Sequence, residues 1–228
     1  MSNSRIVKNS AVLYIRLLIT LALGMFTTRI VIDALGIDDY GIYGVVAGLI
    51  TMFGFMNAAM SSSTQRYLSF DLGLKDSIKL QKTFTASVNT HLFIGVVTFF
   101  LAEVIGLWAV NYLLDIPIDR LKAANTVFQF SLVAFFFGII QVPYHAVTIA
   151  YERMNTYAYI SVVDAFLKLI AAYLLTTATI DKLALYSQLL AFISVLSFIT
   201  YFFCVRIQCK EIKYIKYFDE KYYKEILS

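Results

Sequence analysis

Six long apolar runs limit what this sequence can fold into. A helix needs about 20 mostly apolar residues to cross the roughly 30 Å hydrocarbon core of a bilayer. The apolar residues in the runs are continuous, which argues against the alternating pattern of a transmembrane β-barrel. The sequence therefore predicts an all-α integral membrane protein with six membrane-spanning helices, placed at 9–32, 40–67, 84–112, 121–151, 156–176 and 182–205.

The composition agrees with a membrane protein. Hydrophobic residues make up 60% of the chain and charged residues 15%, whereas soluble domains have about 45–50% and about 25%. Cys204 and Cys209 are too few for a disulfide scaffold, and we expect both to be free thiols. The sequence contains no glycine-rich phosphate loop, zinc-binding motif or plausible catalytic triad, so we expect no enzymatic activity, no cofactor and no metal.

The distribution of Lys and Arg predicts the orientation, because cytoplasmic loops are enriched in both. With the N-terminus inside, the opposite loops hold only Arg120, Lys122 and Lys182. The net charge of +4 follows from this bias, so we expect no nucleic-acid partner. Both termini are predicted to be cytoplasmic, since the other segments carry Arg5, Lys8, Lys75, Lys79, Lys82, Arg153, Arg206, Lys210, Lys213, Lys216, Lys221 and Lys224.

Three arginines fall within or at the ends of the predicted helices, where a charge costs about 2.5–3.5 kcal/mol. Arg16 either extends to the inner headgroups or points into a hydrated cavity. Arg29 lies four residues before Asp33 on the same helix face, which favours a local ion pair over a ligand site. Arg66 ends the second helix, and extension to the headgroups is the default interpretation.

Asp164 and Lys168 form the most informative pair in the sequence. They lie near the middle of the fifth predicted helix, four residues apart, so they are predicted to pair on one face. The pair either joins helices structurally or lines a central cavity as a switchable site. Glu103, in the outer half of the third helix, either balances Arg29 across helices or takes up a proton.

Two features concern helix packing. Gly44 and Gly48 have the GxxxG spacing that allows two helix backbones to approach closely. Pro143 lies inside the fourth helix, where it removes one backbone hydrogen bond and predicts a kink. Such a kink is either a transport hinge or an ordinary bend.

Several short motifs resemble those of the O-antigen and polysaccharide flippase family. This family belongs to a superfamily with lipid II flippases and multidrug and toxic-compound extruders. The matching segments, in the family's order and membrane placement, are TRI (28–30), ALG (34–36), DYGIY (39–43), STQRY (63–67) with Gly73, and Pro143 followed by AYERM (150–154). The resemblance covers the whole chain and corresponds to the N-terminal half of the family's usual length.

The resemblance implies a fold and a function. Residues 1–205 would form a six-helix lobe, one of two lobes around a central cationic cavity in the bacterial inner membrane. A lipid-diphosphate-linked oligosaccharide, an O-antigen, capsule or exopolysaccharide unit, would cross by alternating access. The lumen cations would be Arg16, Arg29, Arg66 and Lys168. From their own positions within the predicted helices, Asp164 and Glu103 are ion- or proton-coupling candidates and Pro143 is a hinge candidate.

The sequence leaves alternatives open for the structure of residues 206–228 and for the function of the protein. The basic segment 206–228 is either the lead-in to a seventh helix or an amphipathic interfacial helix, because Ile212, Ile215, Phe218 and Tyr222 recur at helical spacing. The expected partners are the lipid-linked oligosaccharide, membrane lipids and a second lobe. A multidrug extruder would need an acid-based cation site, and a non-transporting scaffold would tolerate loss of Arg16 and Lys168.

The predicted topology can be measured with reporter fusions. Fusions after Asp38, Asp115 and Asp181 should report the periplasmic side, and fusions after Asp76 and Asn155 the cytoplasmic side, because the cation bias places these loops so. A single clear inversion would contradict the six-crossing arrangement.

Overall fold

The computed structural model describes residues 3–215, and these contain helices and no β-strand. Long apolar runs fold as helices because a helix satisfies its backbone hydrogen bonds within itself. The helices are α1 (Asn3–Leu35), α2 (Ile37–Thr51), α3 (Phe55–Gly73), α4 (Ser77–Trp108), α5 (Leu121–Ala150), α6 (Met154–Thr177) and α7 (Lys182–Gln208).

Five helical segments are long and apolar enough to cross a membrane. They are Val7–Leu35, Ser77–Leu113, Leu121–Ala150, Met154–Thr177 and Lys182–Gln208. The second of these includes a π-helical turn, Ala109–Leu113, that continues α4. Five such helices indicate a multi-pass membrane protein, and they match the first, third, fourth, fifth and sixth predicted runs.

The second predicted run is not one helix, so that prediction is wrong as stated. A 3₁₀ turn at Met52–Gly54 separates α2, with 15 residues, from α3, with 19. Glycine is a poor helix former, and Gly54 stands at the junction. The middle of α3 is also polar, with Ser61, Ser62, Ser63, Thr64, Gln65 and Arg66 in succession.

The α2–α3 pair nevertheless runs the length of the bundle. Asp39 of α2 pairs with Arg120 in the loop before α5, at what we call the Arg120 end. Leu68 of α3 packs with Val147 of α5 and Val205 of α7, near the opposite or Arg153 end. α2 and α3 therefore connect the two ends through one interruption.

Helix α5 is the centre of the bundle and packs against α2, α3, α4 and α7. Gly106 of α4 faces Phe128 of α5, which is fully buried. A Cβ atom at Gly106 would lie 2.5 Å from the Phe128 ring, and one at Gly95 would lie 3.2 Å from Phe136. The close approach of α4 to α5 therefore depends on these two glycines.

The predicted packing role of Gly44 and Gly48 is not fulfilled within residues 3–215. Both glycines are exposed, and a Cβ atom at either would meet no described atom within 4 Å. A GxxxG spacing permits close approach but does not select a partner. The glycines that α4 and α5 require, Gly95 and Gly106, are eleven positions apart and lack that short spacing.

An ion-pair network joins three segments at the Arg120 end. The Arg120 guanidinium donates through Nε to Asp39 Oδ1 at 2.8 Å and through Nη2 to Asp39 Oδ2. Its Nη1 donates to Asp181 Oδ2 at 2.9 Å, and Asp181 also caps α7 by accepting from the Ala184 N–H. The planar guanidinium suits this forked contact, so Arg120 ties α2 to the start of α7.

After α7 the chain folds back over α4 instead of continuing as a helix. Gln81 Nε2 donates to the Glu211 carbonyl at 2.7 Å, and the Ile215 N–H donates to Thr85 Oγ1 at 3.1 Å. Cys209 and Ile212 are buried here. Residues 209–215 are not helical, so Ile212 and Ile215 do not lie on one face of a helix. Residues 216–228, with Phe218 and Tyr222, lie outside the described residues, and both interpretations of that segment stay predictions.

Both cysteines are free thiols, as predicted. Burial raises the pKa of the Cys209 thiol to about 11, with a smaller contribution from Glu211 and an opposing one from Arg153. Cys209 therefore stays protonated at neutral pH and acts as a small apolar core residue.

Gly106→Ala should destabilise the protein by about 1–3 kcal/mol, because the added methyl group overlaps the buried Phe128 ring. Gly44→Ala is the matched control and should be neutral or stabilising by up to about 1 kcal/mol, since alanine is the better helix former. Thermal unfolding in detergent micelles measures both. Adding Phe128→Leu should restore part of the loss, and equal unfolding temperatures for the two single variants would contradict the packing account.

Candidate functional site: a polar cavity between α5, α6 and α7

Two adjoining cavities lie between α5, α6 and α7, with volumes of about 290 and 410 Å³. They share four lining residues: Gly138, Gln141, Asp164 and Ser197. We treat them as one polar cavity. The three helices that enclose it are long and apolar enough to span a membrane. Polar and charged side chains are costly inside a membrane, so this polar lining is a candidate functional site.

Each of the three helices contributes one stripe of residues to this cavity. On a helix, positions i, i+4, i+7 and i+11 lie on one face. The sequence follows that spacing three times, with Ala134, Gly138, Gln141 and His145 on α5, Tyr157, Ser161, Asp164 and Lys168 on α6, and Leu190, Ser194, Ser197 and Tyr201 on α7. The combined pattern was not predicted, although the spacing is present in the sequence.

The ion pair between Asp164 and Lys168 is confirmed. Lys168 Nζ lies 2.8 Å from Asp164 Oδ2, and the two side chains are 46% and 26% exposed respectively. Both line the larger part of the cavity. The pair is therefore open to a ligand or to a neighbouring surface, and is not sealed between helices.

Arg16 of α1 contacts the cavity lining near the start of α6. Its Nη1 donates to Tyr157 Oη at 2.7 Å, and Tyr157 lines the cavity. Arg16 Nε is buried and has no hydrogen-bond partner within residues 3–215. Arg16 itself lines neither part of the cavity, so both interpretations of Arg16 stay predictions.

Aromatic rings surround this end. The His145 ring lies 4.8 Å from the Tyr157 ring and 5.8 Å from the Tyr201 ring, between centroids. The fold thus gives His145 two aromatic neighbours. Among the described residues, no three His, Cys, Asp or Glu side chains are placed to hold a metal ion.

At the opposite end, Tyr43 of α2 and Tyr186 of α7 close the cavity. Their ring centroids are 5.2 Å apart in an edge-to-face arrangement, a favourable geometry for aromatic pairs. Tyr43 and Tyr186 line the cavity beside Lys168. Arg120, through Asp39 and Asp181, holds the starts of the same two helices together.

The other predicted cations lie elsewhere. Arg29 is exposed on an open groove of α1 and forms no ion pair with Asp33 in the described part of the chain, so that predicted pair is wrong. Two exposed side chains gain little from pairing and lose conformational freedom. Arg66 is also exposed, 5.8 Å from the Tyr67 ring, and lines neither part of the cavity.

Glu103 contacts α5 and not Arg29. Gln129 Nε2 donates to Glu103 Oε1 at 2.8 Å, while Oε2 is buried without a partner among residues 3–215. The alternative in which Glu103 balances Arg29 is therefore wrong, and proton uptake stays a prediction. Pro143 is buried within α5, which continues through it to Ala150, and its hinge role also stays a prediction.

The chain matches no family model, no curated protein and no solved structure. The function is therefore inferred from the cavity. Its lining offers an amide, hydroxyl groups, aromatic rings and one ion pair, and such groups can replace the hydration of a polar solute inside a membrane.

A double-mutant cycle tests the Asp164–Lys168 pair. Lys168→Ala should destabilise the protein by roughly 1–3 kcal/mol, because it leaves Asp164 without its counter-charge in a low-dielectric setting. Lys168→Ala combined with Asp164→Ala should cost less than Lys168→Ala alone. Unfolding temperatures in detergent measure all three variants, and strictly additive effects would show that the two side chains do not interact.

Proposed function

We propose that the chain forms one lobe of a membrane transporter. This lobe would cross the membrane six times, and α2 and α3 together would make the second crossing. The bundle would lie in the bacterial inner membrane with both termini in the cytoplasm, as the cation bias suggests. We further propose a lipid-diphosphate-linked oligosaccharide as the substrate, moved by alternating access. The resemblance of the sequence motifs to polysaccharide flippases supports this substrate class.

The observation that carries the proposal is the polar cavity with its Asp164–Lys168 pair. Asp164 lies ten residues after the start of α6 and Lys168 nine before its end, so each is roughly 15 Å from a helix terminus. Charges at that depth are costly and are typical of substrate or ion pathways. A purely structural bundle could have kept apolar residues there at lower cost.

The cavity lining fits a glycosylated diphosphate. A diphosphate must lose water to cross a bilayer, and ammonium or guanidinium groups replace that hydration with charge-assisted hydrogen bonds. Lys168 and Arg16 are the cations nearest the cavity. Gln141, Ser194 and Ser197 could bind sugar hydroxyl groups.

Exposed charges support a second lobe as partner. α1 has little of its surface buried, and Arg29 and Asp33 are exposed on it. Lys168 of α6 is 46% exposed, and α6 packs directly on α1. Since charges facing lipid are costly, a surface covering α1 and α6 would stabilise the bundle and complete the substrate path between two lobes.

The test compares charge removal with loss of folding. Asp164→Asn combined with Lys168→Gln removes both charges without leaving one unpaired, so membrane abundance should stay near wild type. Glycan export, measured as surface polysaccharide and as lipid-linked precursor retained in the inner leaflet, should fall tenfold or more. Lys122→Gln removes an exposed charge remote from the cavity and is the matched control.

Two outcomes would contradict the proposal. Wild-type export by the abundant Asp164→Asn/Lys168→Gln variant would favour a non-transporting scaffold. Normal glycan export with loss of drug resistance in the same variant would favour a multidrug extruder.

A further inference from the structure

A separate cavity of about 610 Å³ lies at the Arg153 end, where residues 209–215 fold back over α4. It shares no lining residue with the polar cavity around Asp164. Aromatic rings form its floor, with Phe84 from α4, Tyr144 from α5 and Phe202 from α7. Phe84 and Phe202 each pack against Tyr144, with ring centroids 5.6 Å apart in both pairs.

Three cations surround this aromatic floor: Arg206, Lys210 and Lys213. No acidic side chain lines the cavity, and none of the three cations forms an ion pair within residues 3–215. Glu211, which lies between the two lysines in sequence, is 3.4 Å from Tyr151 Oη and is not part of the lining. Among residues 3–215, the site thus combines three cations that form no ion pair with an apolar base.

We propose that this cavity binds the phosphate headgroup of an anionic membrane lipid. Ammonium and guanidinium groups form charge-assisted hydrogen bonds with phosphate oxygens, and basic pockets between transmembrane helices bind lipid headgroups on the cytoplasmic side. This inference does not depend on the proposed transport function.

The surroundings favour a lipid over a free phosphate. Phe203 of α7 is 54% exposed, and its ring centroid lies 5.5 Å from that of Phe202, which lines the cavity. Ile207, one turn further along α7, is 68% exposed, so the two side chains offer acyl chains an apolar surface. The cavity stands at the C-terminal end of α7, the last helix among residues 3–215 that is long and apolar enough to cross a membrane, and the end of such a helix is expected near the headgroup layer. A soluble phosphate would contact the cations but would leave this apolar surface unused.

The experiment measures lipid binding by the purified full-length chain in detergent, using isothermal titration calorimetry. Dioctanoyl phosphatidylglycerol is the probe, with soluble glycerol phosphate as the headgroup without acyl chains. Lys210→Gln combined with Lys213→Gln should weaken lipid binding roughly 30-fold, since each cation near an anionic lipid contributes about a factor of five. Both lysines are exposed, so their replacement leaves the core unchanged.

Lys8→Gln combined with Lys75→Gln is the matched control, because it removes two exposed lysines at the same end without touching the cavity. It should weaken binding less than threefold. Equal weakening by both double variants would overturn the site in favour of general surface attraction. Failure of the wild-type chain to bind the lipid, or glycerol phosphate binding as tightly as the lipid, would also overturn it.

Discussion

Lipid tails offer no hydrogen-bond partners, so polar groups between the helices of this bundle must be satisfied by protein. Asn111 and Asn125 do so with two reciprocal amide hydrogen bonds of 3.0 Å. Ser194 Oγ reaches across from α7 to the Ala134 carbonyl of α5 at 2.9 Å. These contacts join α5 to its neighbours, through the Asn125 side chain on one side and the Ala134 carbonyl on the other.

Six buried side-chain atoms in residues 3–215 depart from this rule. Arg16 Nε and Glu103 Oε2 are buried without partners among the described residues, and the Asp164–Lys168 pair is partly open. Unsatisfied polar atoms in a low-dielectric interior are costly unless something transient satisfies them. Four of the six such atoms belong to α4, on Ser87, Thr90, His91 and Glu103, and none of these four residues lines the polar cavity.

The sequence was sufficient for the features that depend on one helix. Continuous apolar runs predicted five of the membrane-spanning helices, and the four-residue spacing predicted the Asp164–Lys168 pair. It was insufficient where the outcome depends on which helices meet. Gly106 is required for the packing of α4 on α5 only because the Phe128 ring faces it. The ion pair predicted between Arg29 and Asp33 was wrong because four-residue spacing does not show whether the two side chains are exposed.

The polar cavity could be predicted only in part. Its three stripes share one spacing, so each could be read from a single helix, but their convergence requires the packing of α5, α6 and α7. The interruption at Met52–Gly54 was also missed, because glycine content lowers helix stability without fixing where a helix breaks. Helix identity was thus more predictable than helix pairing.

The contact between Arg16 and Tyr157 has a consequence for biosynthesis. These residues are 141 positions apart in sequence, and α1 packs on α6 although four helices are made between them. At about 5–20 residues per second, α1 must reside in the membrane for roughly 7–28 seconds before α6 exists. During that interval the translocation machinery, an insertase or displaced lipid headgroups must solvate the arginine, so the nascent chain passes through a vulnerable stage that the finished bundle conceals.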